Sequence, residues 1–150
     1  MEQMRRRDEL LPAFYAILTD PGMDAEKVSG VFYALANTDA RGEQWVQLAV
    51  LKLTDPDYQV RDGALYYIGL FATERDVAPV LALLSDPKRF VRFAAVQTLA
   101  KLGGKHELGE LDLWLEKGTT HRKDGDYMRH VKECRDSIEK RLNEAPKDKK

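Results

Sequence analysis

Thiols are almost missing from this chain: Cys134 is the single cysteine among 150 residues. That excludes an intramolecular disulfide and a cysteine-only zinc site, and it suits a reducing compartment. No apolar run approaches the roughly 20 residues needed to cross a bilayer. An excess of one charge is missing too, with Lys+Arg 24 against Asp+Glu 25, so a globally basic surface for nucleic acid is not indicated. Arg5-Arg6-Arg7 is basic, but Asp8, Glu9 and Pro12 interrupt the residues after it, and no signal peptide is expected. There is no glycine-rich phosphate loop and no legible Ser/His/Asp or Cys/His arrangement. These absences point to a cytoplasmic, non-enzymatic chain with no cofactor and no metal. The length fits one domain, residues 1–150, able to bury about two-thirds of its unfolded surface.

What is present is a repeat. Residues 53–72 and 84–103 superimpose at a shift of about 31, so that Asp55 meets Asp86, Pro56 meets Pro87, Val60 meets Val91 and Arg61 meets Arg92. Ala64 meets Ala95, and Ile68 meets Leu99. An internal period of 20–50 residues signals stacked repeats. Each unit opens on Ser/Thr-Asp-Pro, which predicts an Asp N-cap followed by Pro at the first helical position. After Pro87, Val91, Ala94, Ala95, Thr98, Leu99 and Leu102 recur at helical spacing, and Gly103-Gly104 supplies a left-handed stop. Val77, Val80, Leu81 and Leu84 predict a shorter second helix capped by Asp76. Each hairpin has too little core of its own and is stabilised by stacking.

The pattern Asp-Pro-x-x-x-Val-Arg-x-x-Ala-x-x-x-Leu/Ile, at Asp55 to Ile68 and again at Asp86 to Leu99, resembles HEAT-like repeats of the short bacterial, bilin-lyase type. The resemblance implies an all-α fold: a short α-solenoid, a right-handed superhelix of about three hairpins at 21–53, 55–85 and 86–117. It also implies a polar ladder between hairpins, made by Asp55, Arg61, Asp86 and Arg92. The first unit is degenerate, since three extra residues separate Asp20-Pro21 from Val28 and Ser29 stands in the Arg position.

Around these hairpins, residues 1–7 read as a frayed polar start and Asp8 to Thr19 as an N-terminal half-repeat. A helix over about 24–37 and one over Glu43 to Leu53 come next. Gly118 to Gly125 reads as a polar loop. Asp126 caps a last helix, about 126–144, whose narrow stripe of Tyr127, Val131, Cys134, Ile138 and Leu142 suits a cap closing the stack. Residues 145–150 are expected to be disordered.

Several residues are candidates for chemistry. His130 and Cys134 are spaced i, i+4, but a closed metal site needs four ligands. His106-Glu107 resembles one iron-binding pair of the HEAT-like deoxyhypusine hydroxylases, which use several; Glu107 is read as a first-turn residue. The HEAT-like DNA glycosylases use a face rich in Lys and Arg. Here the second helices carry Glu107, Glu110, Asp112 and Glu116, a ridge that repels phosphate and suits a basic partner. Basic residues gather at the two ends instead. Phe90 and Phe93 stand where the preceding repeat has Gln59 and Asp62, and with Tyr66 they predict an exposed apolar patch. A last helix folding back over them is the alternative. The reading is a non-catalytic protein–protein interaction module, an adaptor, assembly factor or inhibitor-type partner, acting as monomer or homodimer. Alternatives are nucleic-acid binding through the basic ends and a prosthetic-group lyase or chaperone of the bilin-lyase type.

Overall fold

The computed structural model describes residues 2–117 and 121–144. Among them are seven α-helices, two 3-10 segments and no strand. The chain forms two compact units, Met1–Phe71 and Ala72–Lys150.

In the first unit α1 (Glu2–Thr19) is longer than the start at Asp8 expected from the sequence. Glu, Gln, Met and Arg favour helix, and α1 runs through Pro12 although that residue cannot donate to the turn before it and so weakens the helix there. Asp20 then makes a turn by accepting the Gly22 N–H at 2.9 Å. Asp24 caps α2 (Ala25–Asn37) through the Glu26 N–H. Val28, Val31, Phe32 and Leu35 form the buried stripe of α2. The connection to α3 (Glu43–Lys52) needs two left-handed residues, Asp39 at φ 53° and Gly42 at φ 154°. Glycine carries no steric penalty there. α3 buries Trp45, Val46 and Ala49.

α4 (Tyr58–Phe71) packs on both α2 and α3. Its approach to α2 is close: a Cβ on Gly63 would meet Ser29 Cα at 3.1 Å. Tyr67 is fully buried, and its hydroxyl donates to the Ala40 carbonyl at 2.7 Å, satisfying both groups. Burial pushes the Tyr67 phenol up to about 12, so it remains a donor.

The second unit opens on two 3-10 segments, Glu74–Asp76 and Ala78–Ser85, where an α-helix capped by Asp76 was expected. Asp76 is the third residue of a capping box whose cap is Thr73. Pro79 lies at the start of the longer segment, where a missing N–H is tolerated. Val80, Leu83 and Leu84 are its buried residues and face α5 (Arg89–Leu102). Gly103 closes α5 at φ −65° in extended conformation, correcting the left-handed stop predicted for it. Space demands the glycine instead. A Cβ there would lie 2.6 Å from the Leu99 carbonyl oxygen and 2.8 Å from Ile138.

α6 (Lys105–Lys117) packs on the longer 3-10 segment, and α7 (Gly125–Glu144) packs on α5 and α6. Asp124 caps α7, accepting the Tyr127 N–H at 3.1 Å, in place of the expected Asp126. The stripe of α7 is buried at Tyr127, Val131, Cys134 and Ile138. Each fully buried side chain of this size contributes about 1.5–3 kcal/mol. The sequence reading of 145–150, and of 118–120 within the loop, lies outside the described residues.

Candidate recognition surfaces

The aspartates of the repeat motif build turns. Asp55 accepts the Asp57 N–H at 2.8 Å and Asp86 accepts the Lys88 N–H at 2.9 Å, so each helix starts three residues after its aspartate. The N-cap role expected for them therefore becomes a turn just ahead of the helix. The arginines close the same turns. Arg61 Nη1 donates to the Asp55 and Pro56 carbonyls at 2.9 and 3.1 Å, and Arg92 Nη1 to the Asp86 and Pro87 carbonyls at 3.0 and 3.4 Å. Both arginines are buried, which suits guanidinium with its several donors. Arg92 also lies 3.7 Å from Asp124 and over the Tyr127 ring, while its buried Nε has no hydrogen-bond partner.

The aromatic candidates have different surroundings. Phe90 is 49% exposed on α5. Phe93 is half-buried beneath α7, its ring 5.3 Å from Tyr127 and 4.9 Å from His130, with the Arg89 guanidinium 4.5 Å above it. The last helix thus folds over Phe93. Tyr66, in the first unit, is 42% exposed and stacks on Tyr33 of α2 with ring centroids 4.5 Å apart.

The acidic ridge on α6 is broken. Glu107, expected on an exposed ridge, is 2% exposed and accepts the Gly104 N–H at 2.8 Å. It closes the first turn of α6 from within, because a third-position glutamate reaches back to an orphan donor. Asp112 is exposed but held by Arg135 Nε at 2.6 Å, and Glu110 and Glu116 are exposed. Glu110 borders an open cleft of about 480 Å³ whose apolar lining includes Leu81, Leu113 and Trp114.

Among the described residues no group of three or more His, Cys, Asp or Glu is placed to hold a metal. His106 is exposed, and His130 meets the Asp126 carbonyl of its own helix. Burial pushes the Cys134 thiol up to about 12, which keeps it protonated and unreactive at neutral pH. Most basic side chains of α7 are engaged: Arg129 with Asp126, Arg135 with Asp112, Asp136 and Glu139, and Arg141 with the Ala100 and Gly103 carbonyls. Asp124 receives Arg89 at 2.8 Å, which holds its carboxyl down at about 2. Among the described residues no helix is long and apolar enough to cross a membrane.

Sequence reasoning missed Tyr33 and Asp62. Tyr33 donates its hydroxyl to Asp62 at 2.8 Å, and burial with this bond raises its phenol to about 12. The available signal was an i, i+4 series on α4 of Tyr58, Asp62, Tyr66 and Leu70, three of them large and exposed. Charge is also divided unevenly. Met1–Phe71 has seven Lys/Arg against eleven Asp/Glu, and Ala72–Lys150 has 17 against 14.

A family model of HEAT repeats matches residues 46–116. That stretch, covering most of α3, all of α4, both 3-10 segments and α5, and nearly all of α6, is HEAT-like repeat, and the all-helical build of the described residues fits the α-solenoid class. No curated protein and no solved structure matches the chain.

Proposed function

We propose that this chain is a non-catalytic protein-recognition module, serving as an adaptor, assembly factor or inhibitor-type partner. HEAT repeats are commonly protein-interaction modules and generally non-catalytic. The observation that carries the reading is the contrast between covered and exposed side chains. The chemically capable groups Glu107, Arg92 and Cys134 are buried, while Tyr66 and Phe90 stand large and exposed. Exposed aromatics in helical faces are the residues that protein interfaces use as anchors. Glu110 and Glu116 are placed to set the association rate with a basic partner.

A tagged pull-down from lysate, run with and without nuclease, tests this. One protein recovered at near-stoichiometric yield in both lanes, and lost with Phe90→Ser, is expected. A second reading is nucleic-acid binding, supported by an open cleft of about 480 Å³ bordered by Arg122, Arg129 and Lys132. Bound material that vanishes with nuclease would establish that reading and overturn the first.

A further inference from the structure

We infer that Asp62, Tyr66 and Tyr33 form a receptor for an arginine side chain presented by a protein segment lying along α4. The inference rests on the recognition reading above and names the chemistry of the partner. Asp62 and Tyr66 are one helical turn apart, so they share a face of α4. Tyr33 reaches the same spot from α2, stacking on Tyr66 and donating to one oxygen of Asp62.

Two features of this cluster call for a cation. The Asp62 carboxylate receives a neutral phenol hydrogen bond, and among the described residues no Lys or Arg pairs with it. Two arginines of this unit are committed elsewhere: Arg61 to the Asp55 and Pro56 carbonyls, Arg41 to Asp39. Tyr66 offers the second feature. One face of its ring rests on Tyr33, and the residue stays 42% exposed. The face of an aromatic ring is negative and attracts a cation placed over it.

Guanidinium fits both features better than ammonium does. It is planar, stacks on a ring face and offers a pair of parallel donors to a carboxylate. Tyr58 and Leu70, one turn to either side, are also exposed and give apolar contact to the residues flanking such an arginine. The unit's excess of eleven acidic over seven basic residues draws a cationic segment toward it and repels a phosphate backbone. Beside Tyr33, Gly30 leaves open space where a Cβ would stand, so the approach over α2 is clear.

The test is an NMR titration of the full chain, labelled with ¹⁵N, using the peptide acetyl-Gly-Arg-Gly-amide and its citrulline counterpart, which is neutral and nearly isosteric. Saturable shifts at the amides around Tyr33, Asp62 and Tyr66, with millimolar affinity, are expected for arginine and absent for citrulline. Asp62→Asn and Tyr66→Ala should each weaken binding about fivefold or more, while Glu26→Gln, removing another exposed acid of this unit, changes it by less than about twofold. Tyr33→Phe keeps the ring beneath Tyr66 and leaves the carboxylate free, so it should bind at least as well.

Equal weakening by Asp62→Asn and Glu26→Gln would reduce the effect to diffuse attraction and overturn the receptor. So would equal binding of citrulline, or loss of binding in Tyr33→Phe with the rest of the spectrum unchanged. Failure of the two readings is separable. If the Asp62→Asn chain still captures the wild type's protein partner undiminished, the receptor falls and the recognition module stands. If the wild type captures none while the peptide titrates as expected, the module falls and the receptor stands.

Discussion

α4 and α5 carry one motif 31 residues apart, and their inner halves solve one problem in the same way. Arg61 and Arg92 each close the Asp-Pro turn of their own repeat, and Val60, Ala64 and Ile68 are buried as Val91, Ala95 and Leu99 are. Their outer halves differ. At equivalent positions α4 has Gly63 where α5 has Ala94, and Asp62 where α5 has Phe93. α4 leans closely on α2 and keeps Asp62 and Tyr66 at the surface; α5 lies under α7, which covers Phe93. The repeat motif therefore fixes the turn and the inner face. The helix that arrives next decides what the remaining positions do.

The two helices should differ most at the equivalent positions 62 and 93. Phe93→Ala removes a ring packed against Tyr127 and His130, and should cost about 2–3 kcal/mol, less than a full core deletion because the site is half-buried. Urea unfolding monitored by circular dichroism measures it. The next largest effect should come from Gly63→Ala, expected to cost about 1–2 kcal/mol because the added methyl meets backbone of α2. Its counterpart, Ala94→Gly, should cost only about 0.5–1 kcal/mol through backbone entropy. If Gly63→Ala were neutral, the close approach to α2 would not distinguish the two repeats.

Asp124 makes the seating of α7 on α5 depend on pH. Its carboxyl is depressed to about 2, chiefly by the Arg89 hydrogen bond. A depressed value means the stabilisation is complete above the ordinary carboxylate range near 4 and is lost as pH falls toward 2. The melting temperature of Asp124→Asn should therefore lie below that of the wild type at pH 6 and converge with it near pH 2. A constant gap across that range would remove Asp124 as a charge-dependent fastener of α7. An effect no larger than that of Ala94→Gly belongs to Asp62→Ala, about 0.5–1 kcal/mol, because it removes only the part-buried hydrogen bond from Tyr33.

Legibility in the sequence obeys the same division. Asp20, Asp55 and Asp86 mark three turns, and period and breaker residues place α2 to α5 closely, because these signals act within a few residues. Spacing of i, i+3, i+4 at Val77, Val80, Leu81 and Leu84 pointed to an α-helix, whereas 78–85 winds as 3-10 with Val80, Leu83 and Leu84 buried; over so short a segment the tertiary packing decides the winding. Gly103 was legible as a stop, but of the two atoms that demand a glycine there only the Leu99 carbonyl is local; the other, on the Ile138 side chain, lies 35 residues away. Glu107 was placed correctly in a first turn and wrongly on an open ridge, since periodicity does not show a side chain folding back onto Gly104. Phe93 is covered by a helix whose position depends on tertiary packing. Tyr33 was hidden because its partners, Asp62 and Tyr66, are 29 and 33 residues away.

One buried atom gives the second unit a clock. Cys134 is the chain's lone sulfhydryl, and it sits on the covered stripe of α7 with its proton held tightly. A thiol-specific dye has one atom to find, and it finds it only in molecules whose last helix has lifted away. When reclosing is faster than labelling, the modification rate divided by that of the unfolded chain is the equilibrium fraction open, and hence the free energy of that opening. The same number, compared with the global unfolding energy, tells whether α7 leaves by itself or only when everything else does.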